Sequence, residues 1–396
     1  MATRQRRLSE SPIVPVTDER RELRDAVAQL VGRYGRTYFQ DVVKRGEQPD
    51  ALWADLGAAG FLGAHVSEPY GGGGGFADTA VVIEECAAQG CPIQYLVISP
   101  TICSTILDHH ASDAIKEEWL HGMADGSKRM CFGITEPDAG TNTHDLSTTA
   151  TPHPDGGWRI NGGKYWTTGA TVADALIVVA RDADIGPSGK PTLSLFIVEK
   201  DAPGLTIQPL DSALTTAEKS FTVFYDDVPV KPGNLIGEQG KGLQQLFAGL
   251  NPERIAAASL ANGMALFALE KASQYAKDRT VWTQPIGAHQ GVAHPLAKAY
   301  IDVQLARLMT MRAAELFDAG SPAAGEAANM AKLAAADACL QALDQAMQTH
   351  GGNGLSLEVG IADLYFLARM LKVAPVSREM VLNHIAQHSL GLPKSY

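Results

Sequence analysis

The residues with the most chemical potential in this 396-residue chain lie in one stretch, Cys131-Phe-Gly-Ile-Thr-Glu-Pro-Asp-Ala-Gly-Thr-Asn-Thr-His144, continuing to Ala150. It begins extended and apolar, from Met130 to Ile134. It then meets Thr135, Glu136 and Pro137 and opens into Asp138-Ala-Gly140-Thr141-Asn142-Thr143. Pro137 fixes its own φ and biases Glu136 away from helix, and Gly140 permits a backbone path that other residues resist. The hydroxyls of Thr135, Thr141 and Thr143 then surround an exposed, rigid turn. Such a turn offers N–H and O–H donors to a flat polar ligand and its phosphates. An ordinary strand-to-loop exit accounts for this stretch alone equally well. Other chemistries have thinner support. The glycine run Gly71–Gly75 lacks the G-x-G-x-x-G spacing and reads as a turn. His109, His110, His350 and His384 make no metal spacing with acidic partners, so no metal is expected. The five cysteines, Cys86, Cys91, Cys103, Cys131 and Cys339, include no Cys-x-x-Cys pair, which favours reduced thiols over a zinc site or a disulfide framework.

Three regions of different periodicity must position that loop, and the expected fold class is α+β. Residues 1–128 read as an N-terminal helical domain. Thr17 can cap a helix through Leu23, Val27, Leu30, Val31 and Tyr34, and Leu52, Trp53, Leu56 and Ala59 form the next stripe. Further helices are expected over Asp78–Ala88 and Ile93–Leu107. Residues 129–240 read as a central, β-barrel-like domain of short antiparallel strands, including Leu176–Ala180, Leu193–Val198 and Phe221–Tyr225. Turns are expected at Asp155-Gly156-Gly157 and Asn161-Gly162-Gly163. Residues 241–396 read as a C-terminal four-helix bundle with segments at 242–278, 290–318, 322–350 and 376–389. Asn251-Pro252 makes the first of these restart or kink. The net charge of −11 argues against nucleic acid and offers no polybasic membrane footprint. No apolar run reaches the roughly 18 residues of a membrane span. Arg4, Arg6 and Arg7 are followed by no apolar segment and read as a solvated tail, so no secretory signal is expected and a cytoplasmic location is.

A second stretch gives the loop its context: Lys164-Tyr-Trp166-Thr167-Thr168-Gly169-Ala170, then Ala173-Asp174. It resembles the Lys-x-Trp-Ile-Thr-Asn segment of the acyl-CoA dehydrogenase family, and the first stretch resembles that family's Thr-Glu-Pro-x-Ala-Gly-Ser flavin loop. Order and spacing agree, and helical, then β, then helical is the family's domain order, so the resemblance covers essentially the whole chain. It implies FAD as cofactor, touched by Phe132, Ile134, Thr135, Gly140 and Thr141 from the loop and by Trp166, Thr167 and Thr168 from the second segment. Thr135 and Thr168 are suited to the polar edge of the ring, and Trp166 supplies an aromatic face. Asp138 stands where the family usually has Gly, and Asn142 where it usually has Asp; both are short and turn-compatible. Downstream, Arg279-Thr-Val-Trp282-Thr283 with His289-Gln290 resembles Arg-x-x-Phe-Gly…His-Gln. Gln348-Thr349-His350-Gly351-Gly352-Asn-Gly354 resembles Gln-x-x-Gly-Gly-x-Gly. In the family these segments reach the pyrophosphate and adenosine of an FAD bound by a neighbouring subunit. The resemblance therefore implies a homo-oligomer, with a tetramer of two dimers as the family norm and Arg279 as the phosphate partner. Ser377 and Glu379 match a further segment near the cofactor.

The family's reaction needs a carboxylate that removes the α-proton of an acyl-CoA thioester while hydride leaves the β-carbon for flavin N5. Much of the family carries that glutamate in Tyr-Glu-Gly-Thr. Here the matching residues are Ala374-Pro375-Val376-Ser377, and proline is no base. Isovaleryl and long-chain type members keep it in Leu-x-x-Glu-Arg, which resembles Leu250-Asn251-Pro252-Glu253-Arg254. Glu253 is therefore the expected base, and Thr141, Asn251 and Arg254 the expected substrate contacts. Read without the family, Glu253 is an early-turn carboxylate favoured by the helix dipole. Pro375 also lacks the backbone N–H that supports the thioester carbonyl in the family. Either Val376 donates instead or the support is weaker, and one such donor is worth about a hundredfold in rate. The function implied is FAD-dependent dehydrogenation of an acyl-CoA to a 2,3-enoyl-CoA in fatty-acid metabolism, with an electron-transferring flavoprotein as acceptor. The alternatives are a same-fold oxidase or monooxygenase, a desaturase of a carrier-protein thioester, and a non-catalytic flavin-binding partner subunit.

Overall fold

Thr17 opens the first helix as its sequence position requires: its side chain accepts the Arg20 amide, and α1 runs Asp18–Gly32. The computed structural model describes residues 7–185 and 191–394. After α1 come α2 (Gly35–Arg45), α3 (Asp50–Ala58) and the almost wholly buried α4 (Phe76–Ala88). The single helix expected over 93–107 is broken instead. A 3-10 turn, Gln94–Val97, leads into a π-helical turn, Ile98–Cys103, and then α5 (Ser104–His110). Pro100 has no N–H to give an α-helical ladder, and the π turn absorbs the mismatch. Ser112 caps α6 (Asp113–Asp125). Arg4 and Arg6 lie outside the described residues. Arg7 is no solvated tail: it pairs with Glu10, Asp25 and Glu85, beside a buried network in which Arg24 and Arg307 share Glu84.

The middle of the chain supplies β1 (Met130–Gly133), β2 (Thr149–Pro152), β3 (Trp158–Thr168), β4 (Ala175–Ile185), β5 (Pro191–Glu199), β6 (Leu205–Pro209), β7 (Ser220–Val230) and β8 (Leu235–Ile236). They form one eight-stranded sheet in the order β6-β7-β3-β2-β4-β5-β8, with β1 beside β4. It is mostly antiparallel, as expected, but β4 runs parallel to both β1 and β2. Parallel neighbours need a long crossover rather than a tight turn, and the chain through β2 and β3 provides it for β1. Asp155-Gly156-Gly157 makes the expected hairpin, closed by the His153 N–H on Gly157 O at 2.8 Å. Asn161-Gly162-Gly163 is not a second turn. It lies inside β3, where the pairing with β7 slips between Ile160 and Gly162. Gly162 has φ 140°, and a Cβ there would come within 2.7 Å of Thr148, the signature of a bulge that only glycine fits.

Helical periodicity then yields α7 (Gly242–Asp278), a small hairpin of β9 (Thr280–Val281) and β10 (Gln284–Pro285), α8 (Gln290–Asp318) and α9 (Ala324–His350). The short α10 (Tyr365–Met370) and α11 (Arg378–His384) follow, the latter continuing as a π turn to Ser389. α7 runs through Pro252 as one helix. His350 stacks on Tyr275 at 4.4 Å, and a Cβ on Gly325 would lie 3.5 Å from Asn251. α7 and α9 are therefore parallel, start beside start and end beside end, with α8 returning between them. One apolar core joins these helices to α1–α4, and two more cover the faces of the sheet. Among the described residues no helix is long and apolar enough to cross a membrane.

Candidate active site

β1 delivers the loop, and both ends of that strand are pinned. At its start the Met130 N–H donates to Ser99 Oγ at 3.0 Å, and Met130 O accepts from the Tyr95 hydroxyl at 2.9 Å. At its end Glu136 turns inward. It accepts the Ser147 N–H at 2.5 Å, the Thr148 N–H at 3.0 Å and the Lys164 ammonium at 2.7 Å. Lys164 also donates to Ile134 O at 3.2 Å, and the Tyr165 N–H donates to Thr135 O at 2.7 Å. The two segments read from the sequence are thus bonded to each other. Burial alone would raise the Glu136 carboxyl, but Lys164, Ser147 and Thr148 together hold it well below the usual carboxylate range.

β3 bulges between Lys164 and Thr167, and Trp166 takes a left-handed φ of 60°. That conformation is uncommon for a bulky residue and costs on the order of 1–3 kcal/mol. It leaves the indole 45% exposed beside the loop. Thr168 Oγ1 pairs with Ser220 Oγ at 3.2 Å, whereas the buried Thr167 Oγ1 has no partner among the described residues. An open aromatic face and an orphaned hydroxyl beside a rigid polar loop fit a flat, partly polar ligand.

The π turn connects this face to α7. Ser99 holds β1, and Cys103, at the other end of the turn, is close enough to Glu253 to feel its charge. The Glu253 side chain makes no hydrogen bond or ion pair among the described residues. Burial raises its pKa to about 7, against the pull of Arg254 and Lys332. Arg254 Nη1 donates to Asn251 Oδ1 at 2.9 Å. From α9 the buried Lys332 reaches Val376 O at 2.6 Å, and burial lowers its own pKa to about 8 despite Glu253. The Val376 N–H, next to Pro375, donates to nothing among the described residues. An unpaired carboxylate poised near neutrality can take up a proton at physiological pH.

Three family models match the chain in succession: the N-terminal, middle and C-terminal domains of acyl-CoA dehydrogenase, at residues 17–127, 131–228 and 240–390. The chain belongs to the acyl-CoA dehydrogenase family. It is 49% identical over 383 residues to acyl-CoA dehydrogenase FadE12 of Mycobacterium tuberculosis, covering 96% of this chain and 98% of that one. A glutaryl-coenzyme A dehydrogenase solved with glutaryl-CoA superposes with a TM-score of 0.90 at 29% identity, over 96% of this chain and 97% of that one. PigA solved with FAD and proline superposes at 0.88 with 25% identity, over 95% and 98%. This acyl-CoA dehydrogenase is FAD-dependent, and the Trp166 face and the Thr167 hydroxyl fit that cofactor.

The remaining expected residues lie elsewhere in this acyl-CoA dehydrogenase. Arg279, Trp282, His289 and Gln290 are exposed around the hairpin that follows α7, with Trp282 at φ 61° and 91% exposed. Gln348, Gly351 and Gly352 are exposed at the neighbouring end of α9. Thr349 and His350 turn inward, Thr349 Oγ1 onto Gln345 O and His350 Nδ1 against Ala346 O, each at 2.8 Å. At 1.5 Å per residue, Arg279 stands about 39 Å from Glu253 along α7, so a single chain does not bring the two together. Ser377 caps α11, accepting the Met380 N–H at 3.3 Å, and Glu379 is exposed in the helix's first turn. Lys332 was not among the expected residues. Its signal was present: a lysine four residues after Ala328 and three before Ala335, on the buried face of α9. Glu136 was legible as part of a turn, but its bonds to β2 and β3 were not.

Proposed function

We propose that this acyl-CoA dehydrogenase removes the α-proton of its acyl-CoA thioester with Glu253 and releases a 2,3-enoyl-CoA. The observation that carries this reading is the unpaired Glu253 carboxylate, near neutrality at the π turn that also holds β1, while Pro375 fills the family's other base position. Bound FAD would supply the hydride acceptor for the β-carbon. Phe132, Ile134, Thr135, Gly140, Thr141 and Trp166 to Thr168 hold its ring. Thr141, Asn251 and Arg254 meet the substrate, with Arg254 oriented by Asn251. The free Val376 N–H stands in for the donor that Pro375 lacks. In this reading the protein is a cytoplasmic homo-oligomer that passes electrons to an electron-transferring flavoprotein. Arg279, Trp282, His289, Gln290 and the 348–352 segment complete a neighbour's FAD site, with Ser377 and Glu379 nearby. The three domains divide after residues 128 and 240.

The test is rapid mixing with a panel of CoA thioesters. The purified protein should be yellow and release FAD on denaturation. Flavin reduction should rise with pH through about 7, as Glu253 loses its proton. Glu253→Gln keeps the shape and should still bind FAD and acyl-CoA while reducing flavin about a hundred- to ten-thousandfold more slowly. Reduction near the wild-type rate would give the proton to another residue. Consumption of oxygen in place of an artificial acceptor would move the protein to the oxidase reading.

A further inference from the structure

We propose that Lys332 is a positioning residue for this reaction: its ammonium favours the ionised form of Glu253 and anchors the backbone at Val376. The inference rests on the reading of Glu253 as base. Lys332 lies on α9 among buried alanines, 2% exposed. A buried ammonium is costly unless it is bonded and faces a charge. Its bond is the one to Val376 O, which fixes the residue whose N–H is spare. Two of its three donors are unused by the described residues.

The charges around it leave Glu253 as its counterpart. Arg254 and Glu253 face it from α7, Asp337 from α9 itself and Glu379 from α11. Asp337 is tied to Lys372 at 2.5 Å, and Glu379 is exposed. Arg254 is bonded to Asn251 and faces His384. Cys103 is the further titratable group near Glu253, and burial keeps its thiol protonated. Glu253 and Lys332 are carried by the two helices that pack together from Asn251 and Gly325 onward, within electrostatic reach of each other but without making an ion pair. That separation matters. A contact pair would depress a carboxyl by roughly 1–3 units and spoil the base, while no cation at all would leave it protonated by burial. In the reaction the proton moves from the substrate α-carbon to a Glu253 oxygen, and Lys332 keeps its own protons.

The experiment measures single-turnover flavin reduction against pH in the FAD-loaded Lys332→Met, Lys332→Gln and Lys332→Arg variants. The acid limb should move up by roughly one unit in Met and Gln and return toward wild type in Arg. Gln retains a donor for Val376 O, so a limb displaced equally in Met and Gln assigns the effect to charge. Thermal stability provides a readout free of turnover. Because the folded-state pKa of Glu253 is raised from 4.5 to about 7, this group contributes stability below 4.5 that is lost as pH rises through about 7. In Lys332→Met that loss should occur at higher pH, and the displacement should vanish in the Glu253→Gln background. If Glu253→Gln abolishes reduction but the Lys332 variants keep the wild-type limb and the wild-type stability profile, the lysine inference fails and the base stands. If Glu253→Gln reduces flavin normally, the base reading fails first.

Discussion

Glu136 accepts from Lys164, Ser147 and Thr148, and the next bond along joins the Tyr165 amide to Thr135 O, so the loop after β1 is held from behind. In the proposed reading, the carboxylate of the Thr-Glu-Pro run would serve the cofactor without facing it. Removing one partner of a buried pair leaves an uncompensated charge and costs about 3–5 kcal/mol, whereas replacing both by apolar groups is far less damaging. Lys164→Met should accordingly lower the melting temperature and the FAD content of the purified enzyme, and Lys164→Met with Glu136→Leu should recover part of the stability. The sign with pH follows from the depressed Glu136. Its contribution is present above its ordinary value of 4.5 and is lost as pH falls through the folded value. A single variant that melts with wild type and keeps its full flavin would remove the clamp from this account.

Helices long enough to show their apolar stripe over many turns were legible within two residues of their ends. The 242–278, 290–318 and 322–350 expectations correspond to α7, α8 and α9. The 155–157 hairpin was equally clear, because its turn chemistry is local. Features set by distant partners were not legible. The π turn at Ile98–Cys103, the parallel neighbours of β4 and the bulge at Gly162 each depend on a strand or helix far away in sequence. The site divides in the same way: Trp166 and Glu253 stand in recognisable strings, while the Lys332–Val376 bond joins α9 to the segment before α11. Gly263 is the sharpest case. Within a helix it reads as a loss of about 1 kcal/mol against alanine. In the fold a Cβ there would lie 2.2 Å from Glu84 O and 2.6 Å from Ala87 Cβ, where α7 crosses α4. Gly263→Ala should therefore lose about 1–3 kcal/mol through overpacking, beyond any gain in propensity, read as a lower melting temperature. A higher one would mean that the crossing has slack.

At the scale of the whole molecule, the distance along α7 decides what one chain can do. Glu253 lies toward one end and Arg279 at the other, about 39 Å away. Around Arg279, Trp282 is 91% exposed, and Leu355, beyond α9, is 74% exposed. Large apolar side chains left in water forgo about 1.5–3 kcal/mol each of burial. If Arg279 serves the FAD of a neighbour, each site draws its base from one chain and its phosphate partner from another. Arg279→Ala should then lose FAD while keeping its far-ultraviolet circular dichroism. Two inactive variants should also complement each other. In an oligomer mixing Arg279→Ala with Glu253→Gln, the site with the first chain's Glu253 and the second chain's Arg279 is intact. The other site lacks both. Random pairing makes half of the dimers hybrids, so reassembly of equal amounts with added FAD should restore about a quarter of wild-type activity. Differently tagged copies that co-purify establish that hybrids form. Hybrids with no more activity than the separate variants would place Arg279 in its own subunit's business, and a monomer that holds FAD tightly in light scattering would do the same.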